Sequence, residues 1–397
     1  FSLVAIVLST ILSGLFVFAE VWNSTPLQAD YTWFTIGEKT FSIGVLLNNL
    51  TVLMQFIVCI IALPVHIYSK SYMKGDEVLH RYWMYLSLFC FAMLGLTISK
   101  NLLVMYIFWE LVGFASYLLI GFWFTKESAV LANKKAFLIN RIGDLGFLIG
   151  LAILFSTFGT LDLVEILGKD GLFFQGIIDY NSGLITTAGI CFFLGAMAKS
   201  AQFPLHLWLP DAMEGPTSVS SLIHAATMVA AGVFLLSSIF PLFNGTVLLI
   251  IAIIGTITAI TSAIFALAQY DIKKVLAFST ISQLGYMMVA VGIGAWDAGM
   301  FHLATHAFFK CLLFLSAGAV IHEMAHLKAH TNLDFDPQDL RNMGGLRQYM
   351  PKTFVLMAIA SLALAGFPLT SGFLSKDAIV ISAFEWAIQQ GGVAIMI

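Results

Sequence analysis

The sequence predicts an all-α, polytopic membrane protein, and three observations carry that reading. Hydrophobic residues fill 59% of the 397 positions, and mean hydropathy is +0.93. Only 10% of residues are charged, against ~25% in an average soluble domain, so the chain cannot clothe a water-facing surface. The apolar residues also gather in long runs, and about 20 such residues span the ~30 Å of hydrocarbon as a helix. With a net charge of −3 and 19 Lys plus Arg, no basic face exists for phosphates, so nucleic acid is not expected as a partner. Disordered, collagenous and coiled-coil classes are excluded by the same composition.

Taken in order, the runs fall at 1–22, 46–69, 79–98, 101–122, 135–156, 184–203, 219–241, 246–269, 274–294, 298–321 and 353–397, about eleven crossings. The first cation is Lys39, so the opening run lacks the charged start of a secretory signal and reads as an internal helix. Both ends lie within apolar sequence, and further helices beyond them are expected. Residues 31–42 alternate polar and β-prone types and read as a surface β-hairpin. The expected organisation is 1–78 as N-terminal helices with the hairpin, 79–241 as a first repeat and 246–397 as a second, truncated one. Cys59, Cys90, Cys191 and Cys311 are scattered and form no C-x-x-C, which suggests buried thiols rather than a disulfide or metal framework.

Alternate loops sort the cations onto two sides. Lys70, Lys74, Arg81, Lys126, Lys134, Lys135, Lys273, Lys274, Lys328, Arg341, Arg347 and Lys352 fall on one, and Lys39, Lys100 and Lys169 on the other. The positive-inside rule makes the richer side cytoplasmic and leaves the hairpin outside. Arg141, Lys199, Lys310 and Lys376, with Glu110, Asp144 and Asp377, remain inside predicted spans. Each charge at the bilayer centre costs ~2.5–3.5 kcal/mol on insertion scales, so these seven should pair, face the interior or line a hydrated path.

Two spans are interrupted by proline, at Pro204 and Pro368. Both breaks read Phe-Pro-Leu with Asp-Ala further on, and each has a lysine close by, Lys199 and Lys376. Matched discontinuous helices mark transporters built from inverted repeats. His302, His306 and Lys310 recur at i, i+4 and i+8 and make one polar stripe up an apolar helix. Imidazoles titrate near neutrality and both donate and accept, so with water between rungs the stripe suits a proton relay. Polar residues that merely bond helix to helix would give a similar stripe. Lys199 and His224 are expected on neighbouring helices, with Glu110 near Lys199 as a switchable pair. Arg141 and Asp144, spaced i and i+3, are expected to neutralise each other.

His322-Glu323-Met324-Ala325-His326 fits the zinc-protease pattern H-E-x-x-H. It falls where a membrane helix enters a polar loop rather than in an enclosed cleft, and no metal is expected there. No G-x-G-x-x-G or P-loop is present, so no nucleotide or redox cofactor is expected in this chain. Haem is discounted because the histidines cluster with lysines.

These motifs resemble those of the antiporter-like membrane subunits of proton-pumping NADH–quinone oxidoreductase, respiratory complex I. The resemblance rests on Trp109-Glu110-Leu111-Val112-Gly113 with the following Ser116-Tyr117-Leu118-Leu119-Ile120-Gly121, and on residues 199–211. It continues through Gly215-Pro216-Thr217, Leu222-Ile223-His224-Ala225-Ala226-Thr227-Met228-Val229, Asp271-Ile272-Lys273-Lys274 and residues 302–310. It implies two inverted five-helix repeats, each with one broken helix. It also implies a proton path through Glu110, Lys199, His224, His302, His306 and Lys310 to an exit group on the second broken helix. Ser375-Lys376-Asp377 there, with Asp339-Leu340-Arg341-Asn342-Met343-Gly344-Gly345-Leu346, resembles the L-type subunit. Flavin, iron–sulfur clusters and quinone are then expected in partner subunits, with a neighbouring antiporter-like subunit and the lipid bilayer as further partners. The expected location is a bacterial plasma membrane or an equivalent energy-transducing membrane. The large subunit of a multi-subunit cation/proton antiporter and a membrane-bound hydrogenase subunit share the resemblance. A glutamate at position 377 would have favoured the antiporter.

Overall fold

The computed structural model describes residues 1–19, 26–37, 39–176, 179–331 and 333–390. Helix α1 covers Ser2–Ala19, and strands β1 (Leu27–Ile36) and β2 (Lys39–Leu47) form an antiparallel hairpin with Thr35 opposite Thr40. The hairpin is longer than its alternating pattern suggested, because the apolar tips of both strands also pair. Helices α2 (Asn49–Tyr72), α3 (Leu79–Ile98), α4 (Leu102–Ile120) and α5 (Glu127–Phe158) follow, then the short α6 (Leu163–Leu167) and α7 (Gly183–Lys199). After a one-turn helix α8 (Trp208–Asp211) come α9 (Thr217–Ala225), α10 (Met228–Ser238), α11 (Gly245–Leu267), α12 (Ile272–Gly292) and α13 (Trp296–Thr331). Helices α14 (Pro351–Ala365) and α15 (Ser371–Gln389) complete the described chain.

Polar caps set many of the boundaries. Asn48, Asn101, Asp162, Ser182, Asn244 and Asp271 each accept backbone N–H bonds at the start of α2, α4, α6, α7, α11 and α12. Among the described residues, eight helical segments are long and apolar enough to cross a membrane. The expected count was eleven. The apolar stretches Ser2–Val17, Gly183–Lys199 and Pro351–Ala365 are helical but shorter. Two of these three stop early because the chain breaks ahead of Pro204 and Pro368. The final run, expected as one span over 353–397, is therefore two helices, and its last seven residues lie outside the described ones.

The two breaks share a backbone feature. Ala201 (φ 49°) and Leu369 (φ 70°) are the only non-glycine residues with positive φ among the described residues, one in each break. The left-handed region costs an L-residue ~1–2 kcal/mol, so both breaks hold backbone strain. At the centre of the bundle α9 is buried at every position, with α2 and α13 packed against it. Lys273, read from sequence as a loop cation, is instead buried. Its ammonium donates to the carbonyls of Met213 and Gly215 (2.8 Å to the latter), because the Asp271 cap draws it into the first turn of α12.

At the hairpin end, Lys100 sits between Asp30 of β1 (2.6 Å) and Asp162 (3.0 Å), tying the hairpin to the bundle. Burial pulls this ammonium down, but the two carboxylates outweigh it and hold Lys100 above the ordinary lysine value.

Candidate functional site

The first cluster gathers on α4, α5 and α7. Lys199 is the last residue of α7 and is completely buried, with no hydrogen-bond partner for its ammonium among the described residues. Its nearest carboxylate is Asp144, with Nζ 4.0 Å from Oδ1. Asp144 also accepts from the Trp109 indole N–H (2.8 Å) and has the Arg141 Nε 3.5 Å from its other oxygen. Glu110 forms its ion pair with Arg141. The expected pairing of Glu110 with Lys199 is thus corrected. Arg141 on α5 takes the α4 carboxylate, and Asp144, one turn further along α5, faces the lysine. The expected Arg141–Asp144 contact does form, but Asp144 shares itself between Arg141 and Lys199.

Position 113 shapes this cluster. A Cβ on Gly113 would lie 2.5 Å from the Lys199 Nζ, so the glycine makes room for the ammonium beside α4. The Trp109 ring, 5.7 Å from Nζ, offers a cation–π face.

His224 on α9 is fully buried, neither ring nitrogen has a partner among the described residues, and its ring lies 4.9 Å from that of Phe314. Buried nitrogens of this kind are normally served by ordered water. The ladder lies on α13. His302 donates from Nε2 to Gln283 Oε1 (3.1 Å), and its Nδ1 lies 2.8 Å from Ser375 Oγ. The His306 ring stands 6.2 Å from that of His302. Lys310 donates to Leu276 O (3.0 Å) and Ser279 Oγ (2.6 Å), both on α12. All three are buried, as helical periodicity required. Lys376, on α15 just past the second break, donates to Leu364 O (2.5 Å). Asp377, the next residue, is exposed.

Several members of the site were not singled out from sequence. Trp109, Gln283, Ser279 and Ser375 supply the hydrogen bonds that hold Asp144, His302 and Lys310. Gln283 was the most findable of these, as an amide inside an apolar run. His206, in the first break, is buried between the rings of Phe203 and Phe265. Of the zinc-like motif, His322 and His326 stand at the exposed end of α13, and His326 faces His330 with ring centroids 4.3 Å apart. Among the described residues no three His, Cys, Asp or Glu side chains assemble into a metal-holding group.

Comparison with known proteins bears on this arrangement. A family model described as NADH:quinone oxidoreductase/Mrp antiporter, TM, matches residues 99–397, which include both breaks and every residue of the row. The chain belongs to this family. A second model, the complex I chain 5 N-terminus, matches residues 33–83. NAD(P)H-quinone oxidoreductase chain 5 of Synechocystis is 49% identical over 92% of this chain and 54% of its own length. NADH-quinone oxidoreductase subunit L of Neisseria meningitidis is 45% identical over 96% of this chain and 57% of its own. The chain therefore spans little more than half the length of these relatives. A structure of the Mrp complex from Dietzia superposes with a TM-score of 0.80 at 28% identity, covering 98% of this chain and 42% of that one. An archaeal membrane-bound sulfane sulfur reductase superposes with 0.82 at 22% identity over 99% of this chain and 79% of that one, a likeness of fold.

Proposed function

We propose that this chain is the proton-translocating part of an L-type membrane subunit of an NADH:quinone oxidoreductase. The observation that carries the reading is the row of ionisable groups inside the bundle, six of them buried and Glu110, Arg141 and Lys376 half-buried. It comprises Glu110, Arg141, Asp144 and Lys199 beside one helix break, His224 at the centre, then Lys310, His306 and His302, and Lys376 beside the other break. Nine ionisable groups would not be kept inside an apolar bundle for stability alone, since a buried ion pair is weak as a stabiliser. Broken helices give such groups hydrated, movable surroundings. A proton on Lys199 is held by Asp144 and passes through water to His224 when that contact loosens. The ladder then hands it toward Lys376, with Asp377 as the exposed exit carboxylate.

Two inverted five-helix repeats, 79–241 and 246–397, and eleven crossings complete this reading. A left-handed residue in each break, Ala201 ahead of Pro204 and Leu369 just after Pro368, supports it. Electron transfer belongs to partner subunits that carry flavin, iron–sulfur clusters and quinone, and the membrane is a bacterial plasma membrane or its energy-transducing equivalent. The likeness to the Mrp complex keeps a cation/proton antiporter as the second reading. Co-purified flavin and iron–sulfur partners support the oxidoreductase, and nickel in their place points to a hydrogenase. The direct test is Lys310→Met in the full-length chain within its assembled complex. Proton translocation per electron should be lost while the complex still assembles, and undiminished translocation overturns the reading.

A further inference from the structure

Resting on that reading of the row, we infer that Tyr72, Thr217 and Ser221 form a hydroxyl inlet that delivers protons from the lysine-rich end of the bundle to His224. Thr217, Ser221 and His224 are spaced i, i+4 and i+7 on α9, so they share one face and climb it in steps of ~6 and ~4.5 Å. All three are buried to within 1% of complete. At the outer end the Tyr72 hydroxyl, on the last residue of α2, lies 3.1 Å from Thr217 Oγ1. The Tyr72 ring is 6.0 Å from that of His322, whose side chain is 51% exposed, so the row opens to solvent there. At the inner end His224 follows Ser221 on the same face, and its two ring nitrogens have no partner among the described residues, so water must bridge this last step.

Two details separate this row from ordinary interhelical bonding. Ser221 Oγ shares its proton between the O and the Sγ of Cys311, each at 3.4 Å, and its oxygen has no donor among the described residues, so it can accept a proton from the row. Position 318 of α13 is also kept bare. A Cβ on Gly318 would come within 2.7 Å of the Tyr68 hydroxyl and 3.1 Å of the Thr217 methyl, closing the space beside the row. The tie between helices is made elsewhere, by Tyr82, whose hydroxyl joins Ser69 (2.6 Å) and Ser218 (2.8 Å). In the inlet each hydroxyl takes a proton on its oxygen and releases its own to the next acceptor, directly from Tyr72 to Thr217 and through a bridging water at the two wider steps beyond. One proton enters at Tyr72, one arrives on His224, and rotation of the hydroxyls resets the row without net chemistry.

The test uses the full-length chain in its assembled complex, reconstituted in proteoliposomes. Thr217→Val keeps shape and removes the hydroxyl, Tyr72→Phe keeps the ring, and Lys310→Met serves as the reference for the row. The expected result is at least a ~10-fold fall in translocation rate per assembled complex for Thr217→Val, in line with the loss of a proton-transfer group. The remaining rate should rise with acidity on the inlet side, a dependence that a structural defect would not create. Thr217→Ser, which restores the hydroxyl, should pump faster than Thr217→Val, and Tyr72→Phe should behave as Thr217→Val does. If Lys310→Met abolishes pumping while Thr217→Val and Tyr72→Phe pump normally, the inlet is overturned and the row stands. If all three pump normally, both are overturned.

Discussion

Lys199→Met is the sharpest perturbation of the first cluster. Methionine nearly matches the lysine stem in length and bulk, so the cavity beside Gly113 and the Trp109 ring stays filled, but the ammonium is gone. A unit pair at the observed 4.0 Å is worth about 4 kcal/mol at an effective dielectric near 20. Leaving a buried charge without its partner costs ~3–5 kcal/mol when nothing replaces it. Here Arg141 already stands 3.5 Å from Asp144 and takes over much of that charge, so the fold should survive. Proton storage has no such substitute, because Arg141 stays charged at all accessible pH. The assay is proton translocation per NADH oxidised in proteoliposomes, normalised to complex assembled on native gels. The expected outcome is assembled complex with translocation down by at least a factor of ~10, the equivalent of 1.4 kcal/mol of the lost pairing. Normal translocation in assembled Lys199→Met would remove the lysine from the mechanism and refute the reasoning.

Glu110→Gln should act through Arg141. The freed guanidinium turns fully to Asp144 and weakens its hold on Lys199, so pumping falls while Glu110→Asp is intermediate; normal pumping per assembled Glu110→Gln complex would contradict this. From neutral pH upward Lys100 should fix the hairpin throughout the range below the ordinary lysine value of ~10.4, and release it only as pH rises through its higher folded value. Amide-exchange protection factors in β1 and β2 should therefore be flat from neutral to mildly alkaline pH in the native chain, and already low at neutral pH in Lys100→Met. Leu369→Gly should relieve the left-handed strain at the second break and raise thermal stability by ~1 kcal/mol. Unchanged or lower stability would show that the Leu369 side chain repays its backbone. Metal analysis of the purified complex should find no zinc that His322→Ala with His326→Ala removes.

Much of this molecule was legible in its sequence for one physical reason: a helix in lipid advertises itself by length and hydropathy. The ladder was legible because i, i+4 and i+8 fall on one face whatever the helix packs against. The prolines announced both interruptions. Pairing between helices was not legible. Whether Glu110 meets Arg141 or Lys199 depends on how α4 rotates against α5, and no local pattern encodes that rotation. Lys273 was misplaced for the related reason that a cation beside an apolar run can point either way, and only the carbonyls of Met213 and Gly215 decide it. Ser221 escaped notice because a serine in a buried helix is unremarkable until a tyrosine from α2 meets the same face one turn away.

The four charges around Lys199 have one more consequence. Fully ionised, Glu110, Arg141, Asp144 and Lys199 sum to zero, so the resting cluster projects little field beyond its own edges. Losing one proton leaves it with a whole uncompensated charge. At ~10 Å and an effective dielectric near 20, that charge is felt as about 1.7 kcal/mol, enough to change a neighbour's proton occupancy roughly tenfold. The cluster is thus a transmitter as well as a store, and groups further along the row sense whether it is loaded without touching it.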